Sequence, residues 1–317
     1  MKLNRILPVA FLMLAVTACQ NDDEPSFGYL SDPEAVSVNP TISGLQSRVN
    51  TLANGDKWTQ NDKIKVEMTS EDAVEGKNTA VYAYDSSWKL QGSSYIVWPS
   101  HKSTKSYTFQ AFYPYQGNNG TSFSNFVLPS NQSSATAGEN FIGNADWMVA
   151  NTSSVKVEKV NLSFIHQLVK LSVKIIAYGE QYKESLPTIS EPTFLVPTTR
   201  TAISGKTVSV QGSATTIQGL METDKSDKKM HTFTAVVMPG KYTANDNFLT
   251  LKINGDVVKV KVGSNQKLTQ GLVSGKAYTF GLTIGKGGLS IGSVTVNDWG
   301  ASDWGEGEHG GIADEVK

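Results

Sequence analysis

The stretch Asn161–Ile176, NLSFIHQLVKLSVKII, decides the fold. It is the longest apolar-patterned run after the N-terminus, it is rich in β-branched residues, and it lies near the midpoint of the 317-residue chain. It therefore reads as a central strand that opens a second domain. Its odd positions Ile165, Val169, Leu171, Val173 and Ile175 share one face of an extended chain. Among the even positions, Leu162, Phe164, His166 and Leu168 are mostly apolar, whereas Lys170, Ser172 and Lys174 are polar. The first half is thus expected to be buried on both faces and the second half on one. A β-bulge near Val169 that shifts the pairing phase gives the same pattern.

Working outward, the chain repeats one theme of short alternating runs closed by turn residues. Upstream these runs are Val36–Leu45, Ile64–Met68, Thr79–Tyr84, Tyr95–Trp98, Tyr107–Tyr113, Phe123–Leu128 and Asp146–Ala150. Pro40 in the first of them cannot donate to a ladder, which places that strand at a sheet edge or leaves it one unpaired side. Pro129–Asn140 reads as a mobile surface loop, and Asn151–Ser154 as the link between domains. Downstream the runs are Glu191–Pro197, Thr207–Gln211, Thr216–Met221, His231–Met238, Phe248–Ile253, Val257–Val262, Tyr278–Ile284 and Leu289–Trp299. Asn254-Gly255 between two of these runs is a strong hairpin signal. The fold class is therefore all-β, with domains expected at 34–154 and 155–299 and a Gly-rich acidic tail at 300–317.

Composition narrows the function. With 28 basic and 29 acidic side chains the formal net charge is -1, so there is no electrostatic footprint for nucleic acid. Hydrophobic residues at 39% are enough for two packed cores in a chain of this length. The four histidines, His101, His166, His231 and His309, show no i,i+3 or i,i+4 pairing, so no metal-ligand spacing emerges. There is no G-x-S-x-G elbow, phosphate-cradling glycine loop or H-E-x-x-H run. His166 reads as a hydrogen-bonded core residue, and Asp298, Asp303, Glu306 and Glu308 as a solvated tail. Neither a catalytic site, nor a metal, nor a cofactor is expected, and the chain does not read as an enzyme.

The lone cysteine, Cys19, follows a basic start (MKLNR), an apolar run from Ile6 to Val16 and the residues Thr17-Ala18. This resembles a bacterial lipobox, which implies removal of residues 1–18 and lipid chains on Cys19. The alternative is a general secretory signal that ends beside a cysteine. Residues 19–33 are acidic and Pro-containing and read as a flexible tether. Acidic residues directly after the cysteine resemble a signal for export to the outer face of the outer membrane, or are simply a solvated linker. With no second cysteine there are no disulfides, and stability must come from packed sheets.

Several motifs occur in a familiar order: Cys19; Arg48 before Trp58 and Asn61-Asp62-Lys63-Ile64; Tyr107 to Pro114 as Y-x-F-x-A-x-Y-P; Ala145-Asp146-Trp147-Met148; Leu162 to His166 as L-x-F-x-H; and Val294 to Trp299 as VTVNDW. Together they resemble the fimbrillin family of lipoprotein-derived type V pilins of Bacteroidetes, over nearly the whole chain. The resemblance implies two tandem transthyretin-like β-sandwich domains after a lipoprotein signal peptide. It also implies a precursor held in the outer membrane by lipid on Cys19, and then a subunit of a cell-surface fimbrium that supports adhesion. A trypsin-like or arginine-specific protease would cut between Arg48 and Val49. The cut would release the first strand, with Val36, Val38 and Ile42 as its inward residues. The vacated groove would take a strand from another pilin subunit, with Leu289, Ile291, Val294, Val296 and Trp299 as candidate donor residues.

Elementary physics agrees with that scheme. Losing an edge strand exposes an apolar groove and unpaired backbone groups, a donor strand repairs both, and a head-to-tail contact of this kind does not close. Other readings stay open at this point. Leu289–Trp299 can instead be the last native strand of its domain, which would leave the tail as donor or no donor at all, and Arg48 can be a solvated turn residue. The chain can also remain a surface-anchored lipoprotein that binds a host or bacterial surface ligand, such as a glycan on Trp88, Tyr95 and Trp98. Finally, it can cap or anchor a fimbria without polymerising.

Overall fold

The computed structural model of the chain describes residues 34–42, 58–99, 104–115, 126–136, 140–196, 200–204, 207–211, 214–224, 227, 230–286 and 288–299. The first half contributes β1 (Val38–Ile42), β2 (Lys63–Met68), β3 (Thr79–Tyr84), β4 (Trp88–Gln91), β5 (Tyr107–Tyr113), β6 (Phe126–Val127), β7 (Met148–Ser154) and β8 (Val160–His166). The second contributes β9 (Val169–Tyr178), β10 (Ile189–Val196), β11 (Arg200–Ser204), β12 (Thr207–Gln211), β13 (Thr215–Gln218), β14 (Leu220–Thr223), β15 (His231–Val237), β16 (Asn247–Ile253) and β17 (Asp256–Lys261). These are followed by one short helix, α1 (Gln266–Gln270), then β18 (Lys276–Gly285) and β19 (Gly288–Asp298). The all-β expectation holds.

Seven strands form the first sheet, in the order β1-β8-β7-β5-β2-β3-β4. Alternation sends Ile64, Val66 and Met68, then Phe109, Ala111 and Tyr113, then Val160, Leu162 and Phe164 to one buried face. The sheet curls around that face until its ends meet. Ala35 bridges Val97, Val36 N donates to Ile96 O at 2.8 Å, and Trp98 N donates to Glu34 O at 2.8 Å. Residues 95–98, expected as a strand, serve here as a single bridge rather than a ladder. In their place Trp88–Gln91 pairs with β3.

A second pair of layers faces each other across the larger core. One is the four-stranded sheet β13-β10-β16-β17 and the other the five-stranded sheet β14-β15-β9-β18-β19. Phe194, Phe248, Leu249 and Leu251 meet Val173, Ile175, Phe280 and Leu282 in this core, with the Phe248 and Phe280 rings 5.8 Å apart. The Asn254-Gly255 turn joins β16 and β17 with φ of 51° and 91°, the left-handed pair that a two-residue hairpin requires. The run expected as one strand at Thr216–Met221 is two strands in different sheets, hinged at Gly219.

The central stretch is neither one strand nor a bulged one. It is β8 in the first sheet followed by β9 in the five-stranded sheet, with the chain crossing between sheets at Gln167-Leu168. That crossing explains the change of phase: Leu162, Phe164 and His166 are buried, then Val169, Leu171, Val173 and Ile175. Ile165, expected inside, is 54% exposed. β7 also runs straight through residues 151–154, the expected link between domains, and β8 still belongs to the first sheet.

Residues 126–136 and 140–147, from the first half, pack into the larger core instead. β6 pairs with β11, Trp147 stacks on Phe126 at 5.2 Å, and Phe126, Leu128, Ile142 and Trp147 are buried with Val236. Within Pro129–Asn140, expected to be a mobile loop, Gln132 is fully buried. Its carboxamide acts as a short stand-in strand for β15, accepting from Val236 N at 2.7 Å and donating to Val236 O at 2.9 Å.

A Cβ on Gly219 would lie 2.6 Å from the Phe194 ring and 2.9 Å from Thr234 O, so the sheet-switching corner admits only glycine. Gly219→Ala is expected to lower unfolding free energy by about 1–3 kcal/mol, read from denaturant midpoints at unchanged m-value.

Candidate functional site: the edge strand and its groove

Residues 38–42 are paired along one edge only, while residues 34–36 also bridge to 96–98. β1 lies at the end of the first sheet and pairs in parallel with β8, with Val38 beside Val160, Pro40 beside Leu162 and Ile42 beside Phe164. Val160 N donates to Ser37 O at 2.9 Å, so alternation turns the backbone groups of Ser37, Asn39 and Thr41 toward β8. Those of Val36, Val38 and Pro40 face the other way. Pro40 therefore sits where its missing N–H interrupts no ladder, as an edge proline should.

The side chains follow the same alternation. Val36, Val38 and Pro40 are buried, Ile42 is half-buried, and Ser37, Asn39 and Thr41 are exposed. Val36 and Val38 lie in one cluster with Ile96, Trp98, Val160, Leu162 and Phe164. Burial of each valine contributes about 1.5–3 kcal/mol relative to exposure.

Two side chains close the outer edge where no strand does. Tyr82 Oη donates to Val36 O at 2.7 Å, and Trp58 Nε1 donates to Pro40 O at 2.9 Å. Trp58 is fixed in turn by edge contacts with Trp88, Tyr113 and Phe164 at 4.9, 5.5 and 5.5 Å. Outside the core, Asn39 Nδ2 donates to Asn161 Oδ1 at 2.8 Å, and Lys156 pairs with Glu34. Sequence reasoning missed both edge donors, since nothing local to Trp58 or Tyr82 marks them as partners of residues 36–40.

Beneath the groove lies a buried polar group. Asp62 accepts from Tyr113 Oη at 3.0 Å and from Thr59 N at 2.7 Å. Burial holds the Asp62 carboxyl above the usual carboxylate range, and burial together with the Asp62 charge holds the Tyr113 phenol well above its own. Nearby, His166 Nδ1 and Asp146 Oδ1 are 2.7 Å apart and almost wholly buried. This is the core role expected for His166. Its ring stacks flat on Trp299, with centroids 4.4 Å apart and planes at 5°.

Leu289, Ile291, Val294 and Val296 lie on β19, the edge of the five-stranded sheet, paired antiparallel with β18 alone, and Trp299 directly follows it. Phe280 faces Val294 and Leu282 faces Ile291, so residues 292–293 bulge opposite Gly281. The bulge explains the uneven spacing of Leu289, Ile291, Val294 and Val296, all half-buried against the larger core. Trp299 is buried, and its N–H donates to Gly275 O at 2.8 Å. β19 is thus the last strand of its own sheet.

The displaced-strand and donor residues are on different sheets, linked through β8 by the His166–Trp299 stack. Cys19, Arg48, Val49 and the tail 300–317 lie outside the described residues. The aromatic trio considered as a glycan platform does not form one. Trp98 is buried in the first core, Trp88 packs on Trp58, and Tyr95 is half-buried beneath Lys77.

Fold and site together define a class of all-β proteins whose outermost, proline-bearing strand completes a core from a sheet edge. A family profile described as fimbrillin-like matches residues 47–299, and the chain belongs to that family. Among solved structures, a candidate cell-adhesion protein of Bacteroides uniformis superposes with a TM-score of 0.59 at 19% identity, over 84% of this chain and 99% of that one. A second candidate cell-adhesion protein, from Bacteroides ovatus, gives 0.55 at 17% identity, over 84% and 97%. At these identities the likeness shows a shared fold. No curated protein matches the chain.

Trp58→Phe keeps an aromatic, though smaller, ring and deletes the bond to Pro40. It is expected to cost about 1 kcal/mol of stability and to speed amide exchange across residues 34–42, measured by mass spectrometry. Trp58→Ala, which also removes three aromatic contacts, should cost about 3 kcal/mol or more.

Proposed function

We propose that this protein is a structural subunit, stalk or tip, of a type V fimbria, made as a lipoprotein precursor and polymerised by donor-strand exchange. The observation that carries the proposal is the placement of β1. It is an edge strand whose inward residues fill the core and whose backbone pairs on one side, and it ends six residues before Arg48. Cleavage between Arg48 and Val49 would cut the covalent link between β1 and the rest of the fold without cutting any other strand among the described residues.

Departure of β1 uncovers Val160, Leu162 and Phe164 and strips partners from one edge of β8 and from Tyr82 and Trp58. A buried polar group left without a partner costs about 1–3 kcal/mol, so the opened groove is strongly driven to accept another strand. β19 suits the donor role better than an inner strand does. It is held at one edge, is half-buried along its length, and carries Leu289, Ile291, Val294 and Val296 toward one face. Insertion of β19 from one subunit into the groove of the next is a head-to-tail contact that propagates. The role assigned to this chain is structural and adhesive rather than enzymatic. Before cleavage, lipid on Cys19 holds it at the outer membrane.

The test is mass spectrometry of the protein from its native cell surface, with an unboiled denaturing gel beside it. The mature N-terminus should be Val49, and the gel should show a ladder that collapses on boiling. Arg48→Ala should keep residues 19–48 and abolish the ladder. A lipidated, uncut monomer in the wild type would instead assign the protein to anchoring or capping.

A further inference from the structure

The first strand and the C-terminal edge strand carry the same short run of residues. Val36-Ser37-Val38-Asn39 leads into β1, and Val294-Thr295-Val296-Asn297 lies within β19. The pattern V-[S/T]-V-N occurs at these two places and nowhere else in the chain. The nearest other run, V-S-V-Q at 208–211, ends in a longer carboxamide. Burial follows the same alternation in both copies. Val36 and Val38 are buried while Ser37 and Asn39 are exposed; Val294 and Val296 are half-buried against the larger core while Thr295 is exposed. The bulge at residues 292–293 separates Leu289 and Ile291 from this regular run.

We infer that the donor strand enters in one register: residues 294–297 of one subunit take the places of residues 36–39 of the next, parallel to β8. This inference rests on the strand-exchange proposal and specifies its contact. The direction follows from the order of the residues, because β1 runs parallel to β8 and the shared run reads the same way from N- to C-terminus. In this register Val294 and Val296 replace Val36 and Val38 with identical side chains, in the cluster that holds Ile96, Trp98, Val160 and Leu162. The exchange therefore leaves neither cavity nor overpacking there. Both valines pass from half-buried to buried, which favours insertion. Val160 N and Tyr82 Oη, which donate to the carbonyls of Ser37 and Val36, meet those of Thr295 and Val294 instead. Asn297 falls beside Asn161, at the place from which Asn39 Nδ2 donates to Asn161 Oδ1 at 2.8 Å. The match ends where Asp298 stands for Pro40, a buried position. A carboxylate is costly to bury, so the donor leaves the groove after Asn297.

Trimming after Arg48 removes the lone cysteine, Cys19, so introduced thiols report without interference. The test is the double variant Asn161→Cys/Asn297→Cys, trimmed, assembled, oxidised and run boiled on a non-reducing gel. Neighbouring positions on paired strands lie within disulfide reach, so a covalent ladder that collapses on reduction is expected. Either single variant should give no covalent ladder while keeping the wild-type ladder on an unboiled gel, and Asn161→Cys/Ser290→Cys should give none either. A covalent ladder from Asn161→Cys/Ser290→Cys alone would overturn the register in favour of one led by Leu289 and Ile291. An unboiled ladder with no cross-link from Asn161→Cys/Asn297→Cys would overturn the register and leave strand exchange standing. Absence of any unboiled ladder from the wild type would overturn both.

Discussion

The structure depends on the one-sided pairing of its first strand. An edge strand ordinarily leaves a row of backbone groups to water. Here the inner row is paired to β8, and the outer row is met at Val36 by Ile96 and Tyr82 and at Pro40 by Trp58, with a proline where one donor is absent. The strand is therefore complete within the chain yet joined to it by a single ladder. Its even residues are core residues in every other respect, and removing them would open the first core along its whole edge. Losing the strand would expose apolar core and unpaired backbone together, which is the physical requirement of the proposed exchange of one strand for another.

A second constraint is the crossing at Gln167-Leu168. The two halves share one continuous run of chain, and the joint is tightly tied. Gln167 N donates to Trp147 O at 2.9 Å, Ser274 Oγ donates to Gln167 O at 2.6 Å, and Gly275 N donates to Leu168 O at 2.8 Å. Trp299 closes the joint from the C-terminal side by stacking on His166. β8 thus carries the groove for the first strand on one flank and, through its last residue, contacts the end of β19. Movement of β19 must break that stack, so the last strand and the groove are mechanically adjacent although they belong to different sheets.

Much of this was legible in the sequence. Period-two runs, Pro40, Asn254-Gly255 and the absence of helical periodicity gave the all-β class, the edge position of the first strand and the hairpin, because these signals are local. What escaped was non-local. The phase change at residues 166–169 looked like a doubly buried strand, since a crossing between sheets and a bulge leave the same pattern of apolar residues. Gln132 is polar and sits in a Ser/Ala-rich stretch, so its burial against Val236 could not be read from composition. The uneven spacing of Ile291 and Val294 became intelligible only when their partners on β18 showed the bulge. Trp58 and Tyr82 lie 18 and 46 residues from the carbonyls they bind, and no periodicity reports such pairs.

The most direct test of the account is amide hydrogen exchange, followed by mass spectrometry, in three states: uncut monomer, subunit trimmed after Arg48, and assembled polymer. The account predicts that residues 160–164 are protected in the monomer, exchange fast after trimming and regain protection in the polymer, and that residues 289–298 lose protection transiently on assembly. Unchanged protection of residues 160–164 after trimming would contradict it, because the first strand would then not be what completes the groove.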